Sequence, residues 1–238
     1  MKKYDCLSEQ LLKKEFKEVK GSLPLDKVSY SSEEKTASIN CKTWEVNISP
    51  NFVKELMSLG VDEKTVYNGL LNHEIGHYSY YPSDLETNLK EINFLKENNI
   101  PFGIKSLYDD FICNSRIILR SKEESLSKIY NQLKSKGAWH VLNGFYNFLS
   151  QKYGSKRVFT SEELSEKEEK SVNRLNKEIN VECSKNFHTH YIKVFYDIFK
   201  DYVIPEDSLS DLMTGLKEKY GEKDLEKKLK ELSEKGKI

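Results

Sequence analysis

Residues 62–82 read DEKTVYNGLLNHEIGHYSYYP, and this stretch decides how the chain around it folds. Asp62 is a favoured helix N-cap residue. Apolar side chains then recur at helical spacing, at Val66, Leu70, Leu71 and Ile75. Pro82 restricts the preceding residue to extended backbone, so the helix must end near Tyr80. The pattern predicts one capped helix that carries the sequence HEIGH in its second half.

The pattern His-Glu-x-x-His is formed by His73, Glu74 and His77 within this predicted helix. Residues four apart share a helix face, so both imidazoles can bind one metal ion from the same side. A zinc ion lowers the pKa of its bound water from about 15.7 to near 7, and an adjacent glutamate can accept the proton. We therefore predict that His73 and His77 are metal ligands and that Glu74 is the catalytic base.

The segments before and after this helix differ in composition and in predicted secondary structure. Before it lie three short stretches rich in β-branched and aromatic residues, which predict a small antiparallel sheet, at residues 28–30, 36–40 and 43–48. From Lys105 onward the chain is predicted to be almost wholly helical. The expected fold class is α+β, with a catalytic domain over residues 1–125 and a helical region over residues 126–238, which would serve as a lid or an interaction subdomain.

The His-Glu-x-x-His helix and the strands before it resemble the zincin metallopeptidases. That resemblance implies a small sheet above the active-site helix and a zinc-dependent enzyme that hydrolyses a peptide or protein substrate. It also implies that the strand at residues 43–48 is the sheet edge along which a substrate backbone aligns. Gly76 is similar to the small residue that many zincins have before the second histidine. The resemblance covers about residues 25–120 and not the C-terminal half.

A catalytic zinc ion usually has three protein ligands, and the third is less obvious than the two histidines. The metzincin extension would require glycine at position 80 and His or Asp at position 83, and Tyr80 and Ser83 exclude it. A glutamate on a following helix remains an open alternative, with candidates at Glu86, Glu91, Glu97, Glu123 and Glu124.

Asp110 and Asn114 lie four residues apart in an apolar segment and therefore share a helix face. Buried acid and amide groups need a partner, and a metal ion would provide one. The pattern is similar to predicted microbial metallopeptidases in which an Asp-x-x-x-Asn helix follows His-Glu-x-x-His. This resemblance makes Asp110 the third ligand of one Zn²⁺. It makes Asn114 a hydrogen-bond partner of a ligand imidazole or a substrate-binding residue. Asp109 and Glu91 stay open as alternatives to Asp110.

A second histidine pair, His188 and His190, has the spacing of one strand face, whereas its neighbours predict a helix. A second metal site is therefore not expected there. One of these histidines, or Tyr191, is a candidate to reach the first site and donate a hydrogen bond to a tetrahedral oxyanion.

Composition limits the remaining classes of function. Lys plus Arg and Asp plus Glu number 38 each, so no net field favours nucleic acid, and no nucleic-acid motif is present. No apolar run approaches the roughly 18 residues that span a bilayer, and no signal peptide precedes the first helix. We expect a cytoplasmic protein without a membrane partner. A second hypothesis stays open, that of a non-catalytic, zinc-stabilised module whose helical half binds another macromolecule.

Overall fold

The structure is a computed structural model of the chain, and it describes residues 7–40, 42–81, 84–184, 187–204 and 206–235. Within these residues lie three short strands and eleven α-helices. The strands are β1 (Lys27–Tyr30), β2 (Ala37–Asn40) and β3 (Glu45–Ile48). The helices are α1 (Glu9–Lys20), α2 (Pro50–Ser58), α3 (Glu63–Ser79), α4 (Leu85–Glu97), α5 (Gly103–Arg120), α6 (Ser125–Gln132), α7 (Ala138–Lys152), α8 (Glu166–Glu178), α9 (His188–Phe199), α10 (Leu209–Tyr220) and α11 (Glu222–Glu234). The α+β class and the mainly helical C-terminal half are confirmed.

The sheet is mixed rather than antiparallel, with strand order β1-β3-β2. β2 and β3 form an antiparallel hairpin, whereas β1 pairs parallel with β3, so that Val28 lies opposite Val46. The predicted antiparallel sheet is therefore wrong for one of its two strand pairs. Parallel strands cannot be joined by a tight turn, and here β2 itself lies in the connection between β1 and β3.

The same topology corrects the prediction for residues 43–48, because β3 is the central strand and not an edge. In the turn before β3, the Asn40 side-chain oxygen accepts hydrogen bonds from the backbone N–H groups of Lys42 and Thr43, each at 2.9 Å. Trp44 has a positive φ of 59°, which reverses the chain. β3 is thereby folded back between its neighbours, and the edge strand that contacts α3 is β2.

Helix α3 lies where two hydrophobic cores meet. It begins after Asp62, whose carboxylate accepts hydrogen bonds from the Thr65 N–H at 3.0 Å and the Thr65 hydroxyl at 2.6 Å. It ends at Ser79, as the sequence predicts. Its apolar residues belong to a core shared with the sheet, α1 and α2. It also packs against α5, which belongs to a second core formed with α7, α8 and α9.

Gly76 allows α5 to approach α3 closely. A Cβ atom at this position would lie 2.8 Å from both Cys113 Sγ and Ile117 Cδ1, and both of those side chains are buried in α5. Any larger residue would push the two helices apart. The close approach brings the preceding turns of α5, with Asp110, to the histidine face of α3.

Helices from both sides of the predicted boundary at residue 125 pack together, so that boundary stays a prediction. α6 packs on α3 and contributes Ile129 to the first core, while α5 packs with the later helices α7 and α9. α10 and α11 pack on α4 in a third apolar cluster. Among the described residues, no helix is long and apolar enough to cross a membrane.

Two helix-interior glycines provide a matched test of this packing. Gly76→Ala should lower the free energy of unfolding by about 1–3 kcal/mol, because the new methyl group overpacks the α3–α5 contact. Gly215→Ala, in α10, should raise it by about 0.5–1 kcal/mol, because alanine favours helix and nothing lies within 4 Å of its Cβ position. Urea unfolding of the metal-free variants measures both. Equal stability of the two variants would contradict the close approach.

Candidate metal centre

The two histidines predicted on α3 converge one helical turn apart. The Nε2 atoms of His73 and His77 are 3.2 Å apart, and the ring planes are nearly perpendicular at 84°. Glu74 is 8% exposed and lines the same cavities as His73. The helix therefore presents two ring nitrogens and a carboxylate to one cleft, as the spacing predicts.

Asp110 is brought to this pair by α5. Its Oδ1 atom lies 3.1 Å from His77 Nε2 and 3.4 Å from His73 Nε2. The three atoms thus form a nearly equilateral triangle that joins α3 to α5. Tyr146, on α7, donates a hydrogen bond from its hydroxyl to the Asp110 carbonyl oxygen at 3.4 Å.

The outer ring nitrogens of both histidines have hydrogen-bond acceptors. His73 Nδ1 lies 2.8 Å from Asn114 Oδ1, and Asn114 in turn donates from Nδ2 to the Tyr130 hydroxyl at 3.0 Å. His77 Nδ1 donates to the carbonyl oxygen of Tyr81 at 3.0 Å. Because an acceptor holds a proton on Nδ1, Nε2 is the ring atom through which each imidazole, once neutral, could bind a metal ion. The hydrogen bond predicted between Asn114 and a histidine is present.

The charges at the centre are strongly coupled. Burial lowers the pKa of His73, but the charge and hydrogen bond of Asp110 outweigh it and raise this pKa to about 9. Burial raises the pKa of Asp110, whereas the two imidazoles lower it more, so it falls well below its ordinary value. In the metal-free protein the centre therefore holds an imidazolium beside an ionised carboxylate.

A group of three side chains here could hold a metal ion: His73, His77 and Cys113, whose potential ligand atoms all lie within 4.8 Å of one another. The Cys113 thiol is fully buried and donates a hydrogen bond to the His73 carbonyl oxygen at 3.5 Å. Burial raises the pKa of this thiol well above its ordinary value. A metal ion would have to displace that proton before sulfur could bind it.

Asp109 and Glu91, the alternatives to Asp110, are both engaged by one buried lysine. Lys105 Nζ lies 2.6 Å from Asp109 Oδ2 and 2.9 Å from Glu91 Oε2. Burial lowers the pKa of Lys105, but these two carboxylates outweigh it and raise the pKa. The lysine therefore stays charged and holds both carboxylates beside the centre rather than in it.

The other candidate glutamates lie in other contacts. Glu86 forms ion pairs with Lys90 at 2.7 Å and with Lys228 at 2.8 Å, which connects α4 to α11. Glu123 accepts hydrogen bonds from the backbone and side chain of Ser125 at the start of α6. Glu97 and Glu124 lie at the end of α4 and at the N-cap of α6.

The prediction that His188 or Tyr191 reaches the centre is wrong. His188 is buried, lies 2.8 Å from the Tyr108 hydroxyl through Nδ1, and stacks on Tyr81 with centroids 3.9 Å apart. Burial lowers the pKa of His188 to about 3. Tyr191 lines a separate cavity, between α7 and the end of α8, and His190 is exposed. The reason is that α9 packs against α5 on the side away from the cleft.

Tyr81 contacts the candidate centre through its backbone carbonyl, a contact that the sequence does not predict. Its carbonyl oxygen orients His77, and its ring is fixed on several sides by buried groups. The hydroxyl donates to Glu91, the ring stacks on His188, and Arg116 donates to the preceding carbonyl, of Tyr80, at 2.7 Å. The buried network around Lys105 therefore supports the orientation of a predicted metal ligand.

Two cavities open beside the centre. Four residues line both of them, which are Thr36, His73, Glu74 and Asp110. One cavity, of about 350 Å³, runs toward α6 and the start of α7 and has mostly apolar walls. The other, of about 800 Å³, lies between the β2 edge and α10 and has mostly polar walls. The candidate centre is thus reached from two chemically different sides.

No protein-family model matches this chain, and neither the curated proteins nor the solved structures contain a significant match. Only the geometry of the site and the chemistry of its residues therefore indicate a function.

The coupled pair makes the stability of the metal-free protein depend on pH. The folded-state pKa of His73, about 9, is above its ordinary value of 6.5. Its contribution is therefore complete below pH 6.5 and is lost as the pH rises through about 9. Urea unfolding with a chelator should show this loss in the wild type and not in Asp110→Asn. The control Asp197→Asn removes an exposed carboxylate paired with Lys193. An unchanged loss in Asp110→Asn would contradict the coupling.

Proposed function

We propose that this protein is a zinc-dependent metallopeptidase whose metal is held by His73, His77 and Asp110. The observation that carries the proposal is the convergence of two Nε2 atoms and one carboxylate oxygen, with Glu74 on the same cleft. Helices α3 and α5 pack directly against each other, so the fold itself brings the two histidines and Asp110 together.

The three ligand atoms have the separations that zinc requires. A tetrahedral ion with bonds of about 2.0–2.1 Å to nitrogen and oxygen places its ligand atoms about 3.3–3.4 Å apart. The observed separations are 3.1, 3.2 and 3.4 Å. Two imidazoles and one carboxylate also form a common donor set of catalytic zinc sites, in which a fourth position stays open.

We assign the third ligand to Asp110 rather than to Cys113. The Asp110 carboxylate is ionised and already lies within 3.4 Å of both ring nitrogens. The Cys113 thiol, in contrast, keeps its proton and donates it to the α3 backbone. Binding through Asp110 needs only the loss of the proton that His73 shares with it.

Glu74 is the residue that would move protons. When bound, zinc supplies a water of lowered pKa and polarises the carbonyl under attack. Glu74 takes the proton of the attacking water and passes it to the leaving amine nitrogen, so one carboxylate acts first as base and then as acid. Its position in both cavities lets it reach either side of a scissile bond.

A peptide is the favoured substrate because β2, an edge strand of the sheet among the described residues, borders the centre. β2 pairs with β3, and its residues line the polar cavity together with His73 and His77. Helix α10 contacts β2 at Asn40, whose side chain donates a hydrogen bond to the Glu218 carbonyl oxygen at 2.9 Å. An extended peptide could add to this edge by backbone hydrogen bonds, as in strand addition. The zincin-like arrangement of edge strand and active-site helix is part of this proposal, with β2 in place of the strand at residues 43–48.

Metal analysis of three variants tests the ligand assignment. We expect Asp110→Ala to lose bound zinc, with affinity at least 100-fold weaker, because one of three ligands is removed. Asp109→Ala and Cys113→Ser are matched controls on the same helix and should keep at least half of the wild-type zinc. Equilibrium dialysis followed by elemental analysis gives the content. Zinc retained by Asp110→Ala and lost by Cys113→Ser would reverse the assignment.

Replacing the catalytic base separates an enzyme from a zinc-stabilised binding module. Glu74→Gln should keep stoichiometric zinc and lose about 10²–10⁴-fold in the rate of peptide hydrolysis. The wild type and the variant, both zinc-loaded, are incubated with a proteome-derived peptide mixture, and new termini are identified by mass spectrometry. Glu178→Gln, which alters an exposed carboxylate paired with Arg174 on α8, is the control. Equal hydrolysis by the wild type and Glu74→Gln, or none by the zinc-loaded wild type, contradicts the proposal.

A further inference from the structure

The smaller cavity beside the centre has the character of a side-chain pocket. Its walls come from α2, α3, α6 and the start of α7, and its apolar lining consists of Phe52, Leu70, Leu126, Ile129, Leu133 and Trp139. Leu126 and Ile129 are buried, and their helix α6 packs on α3. Phe52, Leu133 and Trp139 are half-buried, so each keeps apolar surface that a ligand could cover.

This pocket is continuous with the reacting centre. Glu74, His73 and Asp110 line it on the side where it meets the larger cavity. A substrate group inside it therefore lies directly next to the bond that Glu74 serves. Its volume of about 350 Å³ is at the lower end of the range for small-ligand pockets, and it has room for one aromatic or large aliphatic side chain.

The two cavities are too different to accept the same side chain. The larger cavity is bordered by Glu33, Glu34 and Glu218, by Lys219, and by polar residues of β2 such as Asn40. An apolar side chain there would cover polar groups and leave their hydrogen bonds unmade. In the smaller pocket the same side chain would remove apolar walls from water. Only the α6 side of the cleft is therefore suited to a large apolar group.

We infer that this pocket determines substrate specificity by binding a large apolar side chain, such as Phe or Leu, on the residue next to the scissile bond. The inference rests on the proposed peptidase function and names its substrate class. The rest of the substrate then runs along β2 in the polar cavity, where backbone groups and polar side chains find partners. The preference arises from α6 and Trp139, outside the segment that carries the metal ligands.

Binding to an inactive variant tests the pocket without any need for turnover. Zinc-loaded Glu74→Gln is titrated with fluorescein-labelled peptides that differ only at one central position, occupied by Phe, Leu, Ala or Asp. Fluorescence anisotropy gives each dissociation constant. We expect Phe and Leu peptides to bind at least 10-fold more tightly than Ala and Asp peptides, the discrimination typical of apolar pockets. Equal affinities for all four would overturn the inference.

Two pocket variants test whether the preference for Phe and Leu peptides arises in this pocket. Both are combined with Glu74→Gln. Leu133→Trp should fill the pocket and remove the preference for Phe. Trp139→Ala should remove one wall and reduce the preference. Leu119→Trp is the matched control, because Leu119 is also half-buried and lines the separate cavity that Tyr191 lines, between α7 and the end of α8. Circular dichroism and zinc content verify folding. A preference for Phe that survives in both pocket variants would overturn the inference.

Cleavage by the wild type distinguishes a failure of the pocket from a failure of the enzyme. If zinc-loaded wild type cleaves all four peptides equally, the pocket inference is wrong and the peptidase proposal stands. If it cleaves none, while Phe and Leu peptides still bind preferentially through Leu133, the peptidase proposal fails and the pocket remains as an apolar binding site.

Discussion

The contact between α3 and α5 is the constraint on which the candidate site depends. His73 and His77 alone could bind a metal ion only weakly, since two neutral ligands leave it underco-ordinated and its charge unbalanced. Gly76 has no side chain, whereas a Cβ atom at this position would meet Cys113 and Ile117 and hold α5 at a greater distance. The resulting approach brings Asp110 within 3.4 Å of both Nε2 atoms. The histidine face of α3 thereby becomes one wall of the proposed three-ligand centre.

Several ionisable groups lie between the two cores, and they share their partners. Asp110 lies beside the two imidazoles, whereas Glu91 and Asp109 share Lys105 as one cationic partner. Removal of Lys105 would leave two carboxylates without a cation in a poorly hydrated place, which costs far more than the ion pairs themselves contribute. The network also reaches the metal side, because Glu91 accepts the hydrogen bond of Tyr81, whose carbonyl oxygen orients His77.

Local features of this site could be predicted from the sequence, and features set by distant contacts could not. The helix, its cap at Asp62 and the shared face of His73 and His77 all follow from spacing within one turn or two. Asp110 and Asn114 could be proposed because a family resemblance supplied the long-range contact that spacing lacks. The exclusion of Asp109 and Glu91 depends on Lys105, which no local pattern connects to them. Pro82 distinguishes Tyr81 from the two tyrosines before it only by ending the helix there, and nothing in the sequence indicates that the Tyr81 carbonyl oxygen contacts His77.

The order of the strands could not be predicted for the same reason, because it depends on contacts between distant residues. The segments at residues 28–30, 36–40 and 43–48 were correctly predicted as strands, but their composition contains no information on which of them is central. That depends on the turn after Asn40, which inserts β3 between β1 and β2. The edge strand beside the histidines is therefore β2, and the proposed substrate edge moves to it.

The zinc K-edge X-ray absorption spectrum of the zinc-loaded protein tests most directly whether His73, His77 and Asp110 bind the metal. It reports the atoms bound to the metal whether or not a substrate is known. Binding by His73, His77 and Asp110 predicts a first shell of nitrogen and oxygen atoms only, at about 2.0–2.1 Å, from two imidazoles, one carboxylate and solvent. A sulfur atom at about 2.3 Å, or a shell without imidazole scattering, would contradict it.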